Sequence, residues 1–302
     1  MKTKRLAILI SVLAVIVVIV VLSSTVFTLK QVEVQFYTKN DTLITNIDSL
    51  NYFNDSTVLN IENNKQDFSM GQSIFLTKKS NITAKLEKDY PYLKVIALTT
   101  MFPDKIIVKA AEREEFYAVP VYTGSSITGY AICDGDLKVL RMGTSADAAN
   151  LITLDGGDED SFKLGSGDAS IGEILNVGSG DLTIAKQLYN DFQSCFALLP
   201  IAVRDDAMLS TFESMTFTQE YSTQPYVAGQ QRQIYTYLTV KTRSGVSIRV
   251  EDAGTNLLTK LNVGYSIYND ILNGDCTNKN AKADEGFIKV FYNLTYVWTA
   301  EY

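Results

Sequence analysis

The sequence predicts an α+β protein with an N-terminal transmembrane helix, a β-α-α-β-β domain, and a mixed β-rich domain that carries two amphipathic helices. Residues 6–22 are almost wholly apolar. After them, segments that alternate between apolar and polar residues, typical of strands, mix with segments of helical periodicity. The length of 302 residues suggests two domains, which we place at 29–120 and 121–302.

The N-terminal segment is predicted to be an uncleaved membrane anchor over residues 6–28. At 1.5 Å per residue, this stretch is long enough for a hydrocarbon core of about 30 Å. Lys2, Lys4 and Arg5 precede it, so the positive-inside rule places a short tail at 1–5 in the cytoplasm and the rest outside. A cleaved signal peptide is the alternative, but its apolar core is normally about 7–15 residues long and ends at a small-x-small site.

Residues 29–120 are predicted to form the β-α-α-β-β domain. Val32, Val34 and Phe36 alternate with polar residues, which indicates a strand directly after the anchor. The remaining predicted elements are a weak helix at 42–53, an irregular loop at 54–71, a helix at 73–90, and strands at 93–101 and 105–111.

Residues 121–302 are predicted to form the β-rich domain. Asp134-Gly135-Asp136 has the composition of a hairpin turn. The other predicted elements are an amphipathic helix at 181–199, a hairpin at 234–251, a second amphipathic helix at 256–272, and a terminal aromatic-rich strand at 286–302.

Composition excludes several classes of function. The formal net charge is −7, and an acidic body repels both nucleic acid and anionic lipid surfaces. The chain has no histidine, so a Ser-His-Asp triad, a Cys-His pair and histidine-containing zinc sites are excluded. No Ser-x-x-Lys nucleophile and no nucleotide-binding glycine pattern occurs. We therefore expect no enzyme activity, no cofactor and no metal site.

Three features leave alternatives open at this stage. The acidic run at 155–160 could hold calcium, although a solvated loop is favoured because the order of EF-hand ligands is absent. Glu112 and Arg113 either form a solvated strand end or pair with another part of their domain. Cys133 and Cys276 could form a disulfide, although three widely spaced cysteines define no framework.

The terminal strand is the candidate partner site. Its aromatic residues could belong to the core, but a chain-terminal strand is commonly a sheet edge that accepts a partner strand through main-chain hydrogen bonds. Tyr and Trp are also typical interface anchors. We expect pairing along 289–298, with these candidate residues: Lys289, Phe291, Tyr292, Leu294, Tyr296 and Trp298.

Several short motifs in a fixed order resemble the FtsQ/DivIB family of cell-division proteins. They are GQSIFL at 71–76, FPDKIIVKAAERE at 102–114, AICDGDLKVL at 131–140 and YLTVKTRSGVSIRVE at 237–251. In that family a POTRA-type domain follows a single membrane anchor. The residues that match its motifs are Gly71, Phe102, Pro103, Glu112 and Arg113.

The resemblance implies a non-enzymatic bitopic scaffold of the division machinery, located in the cell membrane at the septum with its folded domains outside. Implied partners are single-span proteins of the FtsB/DivIC and FtsL type, with septal wall synthases positioned nearby, and the implied binding region is the last strand. Two other functions remain open: another POTRA-bearing membrane-anchored assembly or secretion factor, or an extracellular metal-binding module or enzyme.

Overall fold

A computed structural model describes residues 2–64, 66–155, 164–165, 168–175, 181–221, 234–291 and 293–300. The chain forms two compact units, Met1–Arg113 and Glu114–Tyr302. The first strand of the second unit, Tyr117–Thr123, contains the domain boundary predicted at 120. The break therefore comes directly after the Glu112-Arg113 pair rather than seven residues later.

The first unit has the predicted β-α-α-β-β order behind an N-terminal helix. Its elements are α1 (Lys2–Thr25), β1 (Gln31–Phe36), α2 (Asp55–Glu62), α3 (Lys79–Asp89), β2 (Leu93–Met101) and β3 (Lys105–Glu112). β3 lies in the centre of a three-stranded sheet, parallel to β1 and antiparallel to β2. The helix predicted at 42–53 is only a 3-10 turn, and α2 instead forms inside the predicted loop at 54–71.

The predicted transmembrane helix is wrong. Residues of the anchor segment do form α1, but within the described part of the chain no helix is both long enough and apolar enough to cross a membrane.

The second unit is built on a ten-stranded mixed sheet, so the α+β class is correct. Its strands are β4 (Tyr117–Thr123), β5 (Ser126–Cys133), β6 (Val139–Gly143), β7 (Ile152–Asp155), β8 (Leu164–Gly165), β9 (Phe212–Tyr221), β10 (Ile234–Thr242), β11 (Ser247–Val250), β12 (Phe287–Val290) and β13 (Tyr296–Thr299). Their order is β13-β12-β11-β10-β9-β7-β4-β5-β6, and β8 pairs with β4. The two predicted amphipathic helices are α5 (Asp181–Cys195) and α7 (Leu257–Asn273); two shorter helices, α4 (Ser145–Ala148) and α6 (Arg204–Thr211), accompany them in the described residues.

Helix α7 packs closely over β11 and β12. Gly264 makes this approach possible, because a Cβ there would lie 2.5 Å from Ile248 Cγ2 and 3.4 Å from Val290 Cγ2. The buried Lys260 side chain fixes the start of the helix to the preceding loop, since its Nζ donates to the carbonyl oxygens of Glu251 and Asp252 at 2.8 Å each. The helix is therefore held at a fixed depth above these two strands.

The predicted turn at 134–136 is confirmed and is tied to α5. Asp134 Oδ1 accepts hydrogen bonds from the backbone N–H groups of Asp136 (3.0 Å) and Lys138 (2.9 Å). A Cβ at Gly135 would lie 2.5 Å from the Tyr189 ring, so only glycine lets the turn rest on that side chain. The open question of a disulfide is also answered, because Cys133, Cys195 and Cys276 are free thiols.

Gly135→Ala should lower the free energy of unfolding by about 1–3 kcal/mol, because overpacking displaces either the turn or the Tyr189 ring. Gly254→Ala is the matched control, since nothing lies within 4 Å of the Cβ it adds. Urea denaturation of both variants measures the difference. Equal stability of the two would contradict the close contact.

Candidate partner-binding edge

The single strand predicted at 286–302 is two strands in the structure. β12 and β13 form an antiparallel hairpin. Phe291 N–H donates to the Thr295 carbonyl (2.9 Å), and Leu294 N–H donates to the Phe291 carbonyl (3.0 Å). Asn293 Oδ1 supports the loop by accepting from Thr295 N–H (3.1 Å) and Oγ1 (2.6 Å). The hydrogen bond from Leu294 to Phe291 closes a tight turn between the two strands, and short hairpin connections often include one left-handed residue.

The left-handed residue of this loop is Leu294, with φ +66°. Glycine takes this conformation without strain, whereas a leucine there costs roughly 1–3 kcal/mol. Its side chain is also 42% exposed, so burial does not compensate for the strain within this chain. A strained and exposed apolar residue next to a sheet edge indicates a role in binding.

β12 lies inside the sheet. It pairs with β11 in parallel and with β13 antiparallel. Lys289 is consequently placed between Arg249 and Val297, and its backbone has strands on both sides. The pairing predicted along 289–298 can therefore use only the β13 part of that range.

Among the described strands, β13 is the outermost at its end of the sheet. Antiparallel pairs alternate between those that exchange hydrogen bonds and those that do not. The bond between Phe291 and Thr295 sets this alternation, so Val297 and Thr299 bond to β12. The N–H and C=O groups of Tyr296 and Trp298 then point away from β12, toward the open edge.

The side chains of β13 alternate between the two faces of the sheet and differ in how exposed they are. Tyr296 is 52% exposed, whereas the next residue on the same face, Trp298, is half-buried and packs against the core. The Trp298 ring rests on Gly286, where a Cβ would lie 2.7 Å from Cζ2. Val297, on the other face, is exposed and was not singled out from the sequence.

An open groove of about 480 Å³ lies between α7 and Tyr296. Its floor is one side of α7, where residues three and four apart face the same way. The lining residues are Leu258, Thr259, Asn262, Val263, Ser266, Ile267, Asp270 and Tyr296. The apolar stripe along 256–272 predicted the helix but not this groove, because the groove depends on how α7 packs beside the last described strand.

The structure brings together some of the predicted site residues. Phe291, Leu294, Tyr296 and Trp298 belong to the terminal hairpin, while Tyr292 lies outside the described residues. The five motif residues matched to the family all lie in the first unit.

Glu112 and Arg113 pair with other parts of the first unit. Arg113 is buried, with Nη2 3.0 Å from Glu87 Oε2 and Nε donating to the Leu93 carbonyl. The Glu112 carboxylate accepts from the backbone N–H groups of Asn51 and Tyr52. The alternative of a solvated strand end is therefore wrong.

The remaining motif residues lie in loops of the first unit. Gly71 has φ +86° and donates its N–H to the Leu29 carbonyl. Phe102 precedes Pro103, is 60% exposed, and lies against the rings of Phe27 and Phe75. This small aromatic cluster is a second apolar surface.

Within the described residues, no group of three or more acidic or cysteine side chains is arranged to hold a metal ion. Of the acidic run at 155–160, only Asp155 is described. Its carboxylate accepts from Tyr122 Oη at 3.1 Å, and burial together with this charge raises the pKa of Tyr122 to about 12.

No protein-family model matches the chain, and no curated protein matches it.

Gly286→Ala should displace β13, because its Cβ would meet the Trp298 ring and the Thr299 carbonyl at a position with φ +100°. Trp298 is the chain's one tryptophan, so the expected result is a red shift of the fluorescence emission as the indole enters water. Gly274→Ala is the control, since it adds strain at φ +75° with nothing within 4 Å. Unchanged emission in Gly286→Ala would contradict the packing described.

Proposed function

We propose that this chain is a non-enzymatic scaffold of the bacterial division machinery that binds a partner strand along the open edge of β13. The observation that carries the proposal is this edge: the last strand of a ten-stranded sheet, with outward backbone groups at Tyr296 and Trp298. The resemblance to the FtsQ/DivIB family supports partners of the FtsB/DivIC and FtsL type and a location at the septum.

Main-chain pairing alone would bind weakly. Tyr296 and Trp298 each offer one N–H and one C=O, and such bonds contribute about 0.5–1.5 kcal/mol net apiece. Four of them supply roughly 2–6 kcal/mol, below the 8 kcal/mol or so of a micromolar complex, and association has its own entropic cost. Side-chain anchors must contribute the rest.

The exposed apolar residues of the hairpin are suited to that role. Phe291, Leu294, Tyr296 and Val297 are all exposed at the turn or along β13. Burying apolar surface contributes about 25 cal/mol per Å², so two or three such side chains can outweigh the backbone bonds. Strand pairing then sets the register, and the side chains set the affinity.

The edges of the smaller sheet are less open to strand addition. The Val34 N–H of β1 donates to Glu62 Oε1 of α2, and the Val95 N–H of β2 donates to Glu87 Oε1 of α3, both at 2.8 Å. Lys79 Nζ donates to the Leu98 carbonyl at 2.9 Å. Side chains of the covering helices thus occupy backbone groups that a partner strand would need, which favours β13 as the place for strand addition.

The cellular test images the chain with a C-terminal fluorescent tag in growing cells. The proposal expects a band at mid-cell that tightens during constriction. A uniform signal throughout the cycle would contradict the division role and favour a general assembly or secretion factor.

Tyr296→Pro should abolish co-purification of the partner proteins, because proline removes the outward N–H and narrows the local backbone conformation. Tyr296→Ala removes the same side chain but keeps the N–H, so it should lose only part of the binding. Circular dichroism melts confirm that both variants are folded. Equal binding by the two variants would contradict strand addition at this position.

Leu294→Asn should separate binding from stability. Asparagine tolerates the left-handed conformation better than leucine does, so the melting temperature should stay the same or rise. Loss of the exposed apolar side chain should nevertheless weaken partner binding by about tenfold, the equivalent of 1.4 kcal/mol. Unchanged partner affinity would contradict a role for Leu294 as an anchor.

A further inference from the structure

We infer that the groove between α7 and β13 receives alternate apolar side chains of the partner strand, and that Asp270 at the groove binds a lysine or arginine of the same strand. This inference rests on the proposed strand addition at β13 and specifies the chemistry of the partner. The occupant is therefore an extended segment with apolar residues at every second position and a basic residue on the α7 side.

The described sheet ends at β13, beside α7. A helix is about 10 Å wide and strands lie about 4.8 Å apart, so one helix covers about two strands. Gly264 holds α7 above Ile248 of β11 and Val290 of β12. One side of α7 lies toward the outer edge of β13. No described strand packs beneath that side of the helix.

A strand added beside β13 would point its side chains in directions set by those of β13. Residues directly opposite each other on neighbouring strands project to the same face of a sheet. Tyr296 projects toward α7, because its side chain lines the groove. A partner residue opposite Tyr296, and every second residue from it, must then project toward the same groove.

The groove lining combines apolar side chains with one carboxylate. Leu258, Val263 and Ile267 supply apolar surface, and the first of these is exposed. Asp270 is the acidic residue of the lining. Its carboxylate makes no hydrogen bond or ion pair with the described residues, so it is available to a cation on the partner. In a chain of net charge −7, a basic partner segment is also attracted at long range.

The test uses the full-length chain and synthetic ten-residue peptides without tryptophan, with Trp298 fluorescence as the signal. One peptide alternates Leu and Thr, and its control has Thr at every position. Each is made with a terminal Lys or a terminal Glu. We expect the alternating peptide to bind about tenfold or more tightly than the all-Thr peptide, and the Lys form to bind a few-fold more tightly than the Glu form at low salt.

Two leucines of α7 provide matched variants. Leu258→Asp changes a groove residue, whereas Leu272→Asp changes an exposed leucine of the same helix outside the lining. The tighter binding of the alternating peptide relative to the all-Thr peptide should disappear in Leu258→Asp and persist in Leu272→Asp. Asp270→Lys should make the peptide with a terminal Glu bind more tightly than the one with a terminal Lys. Asp275→Lys, with the same change in net charge, should leave the original order of affinities intact.

The outcomes separate the two proposals. If the alternating and all-Thr peptides bind equally, the groove inference is overturned while strand addition stands. If the tighter binding of the alternating peptide survives Leu258→Asp, the groove is not where the apolar side chains bind, and the inference is likewise overturned. If no peptide binds the wild-type chain at all, both the inference and strand addition at β13 are overturned.

Discussion

The packing of α7 over the β11–β12 pair determines what the rest of the second unit can do. Gly264 permits the close approach to Ile248, and Lys260 ties the start of the helix to the loop that follows β11. Helix α7 covers β11 and β12, β12 is paired on both sides, and β13 is the outermost of the described strands at this end of the sheet. The open edge and the groove beside it are consequences of that single arrangement.

The terminal hairpin combines two features that folding stability alone does not favour. Leu294 adopts a left-handed conformation that glycine would adopt without strain. Tyr296 and Val297 expose apolar surface along a strand edge that no described strand pairs with, whereas natural sheets usually protect such edges. The smaller sheet shows such protection, because Glu62 and Glu87 accept hydrogen bonds from edge backbone groups. The contrast between the two sheets favours β13 as a binding surface.

Sequence patterns predicted those helices and strands that have a clear periodicity of apolar residues. The alternation of Val32, Val34 and Phe36 predicted β1, and the apolar stripe along 256–272 predicted α7. The hairpin turn that contains Leu294 was missed because leucine stands where such turns usually have glycine. The aromatic-rich segment 286–302 was therefore predicted as one strand. Helix α2 was missed because its start depends on the Asn54 side chain, which accepts from the Thr57 N–H at 2.9 Å, within a segment of loop-like composition.

Features that depend on contacts between residues far apart in the chain could not be predicted from sequence patterns. The candidate residue Lys289 was assigned to an edge, yet parallel pairing with β11, a chain segment about 40 residues earlier, makes β12 an interior strand. The groove residues Leu258 and Asp270 gave no signal because their role depends on where the sheet ends. The predicted membrane span was wrong within the described residues.

Hydrogen exchange of the four β13 amides tests strand addition most directly. In the free protein, the amides of Val297 and Thr299 should be protected by β12, whereas those of Tyr296 and Trp298 should exchange rapidly. Binding of the partner should slow exchange at Tyr296 and Trp298 and leave the other two unchanged. If the partner binds and the exchange of Tyr296 and Trp298 does not slow, strand addition at this edge is contradicted.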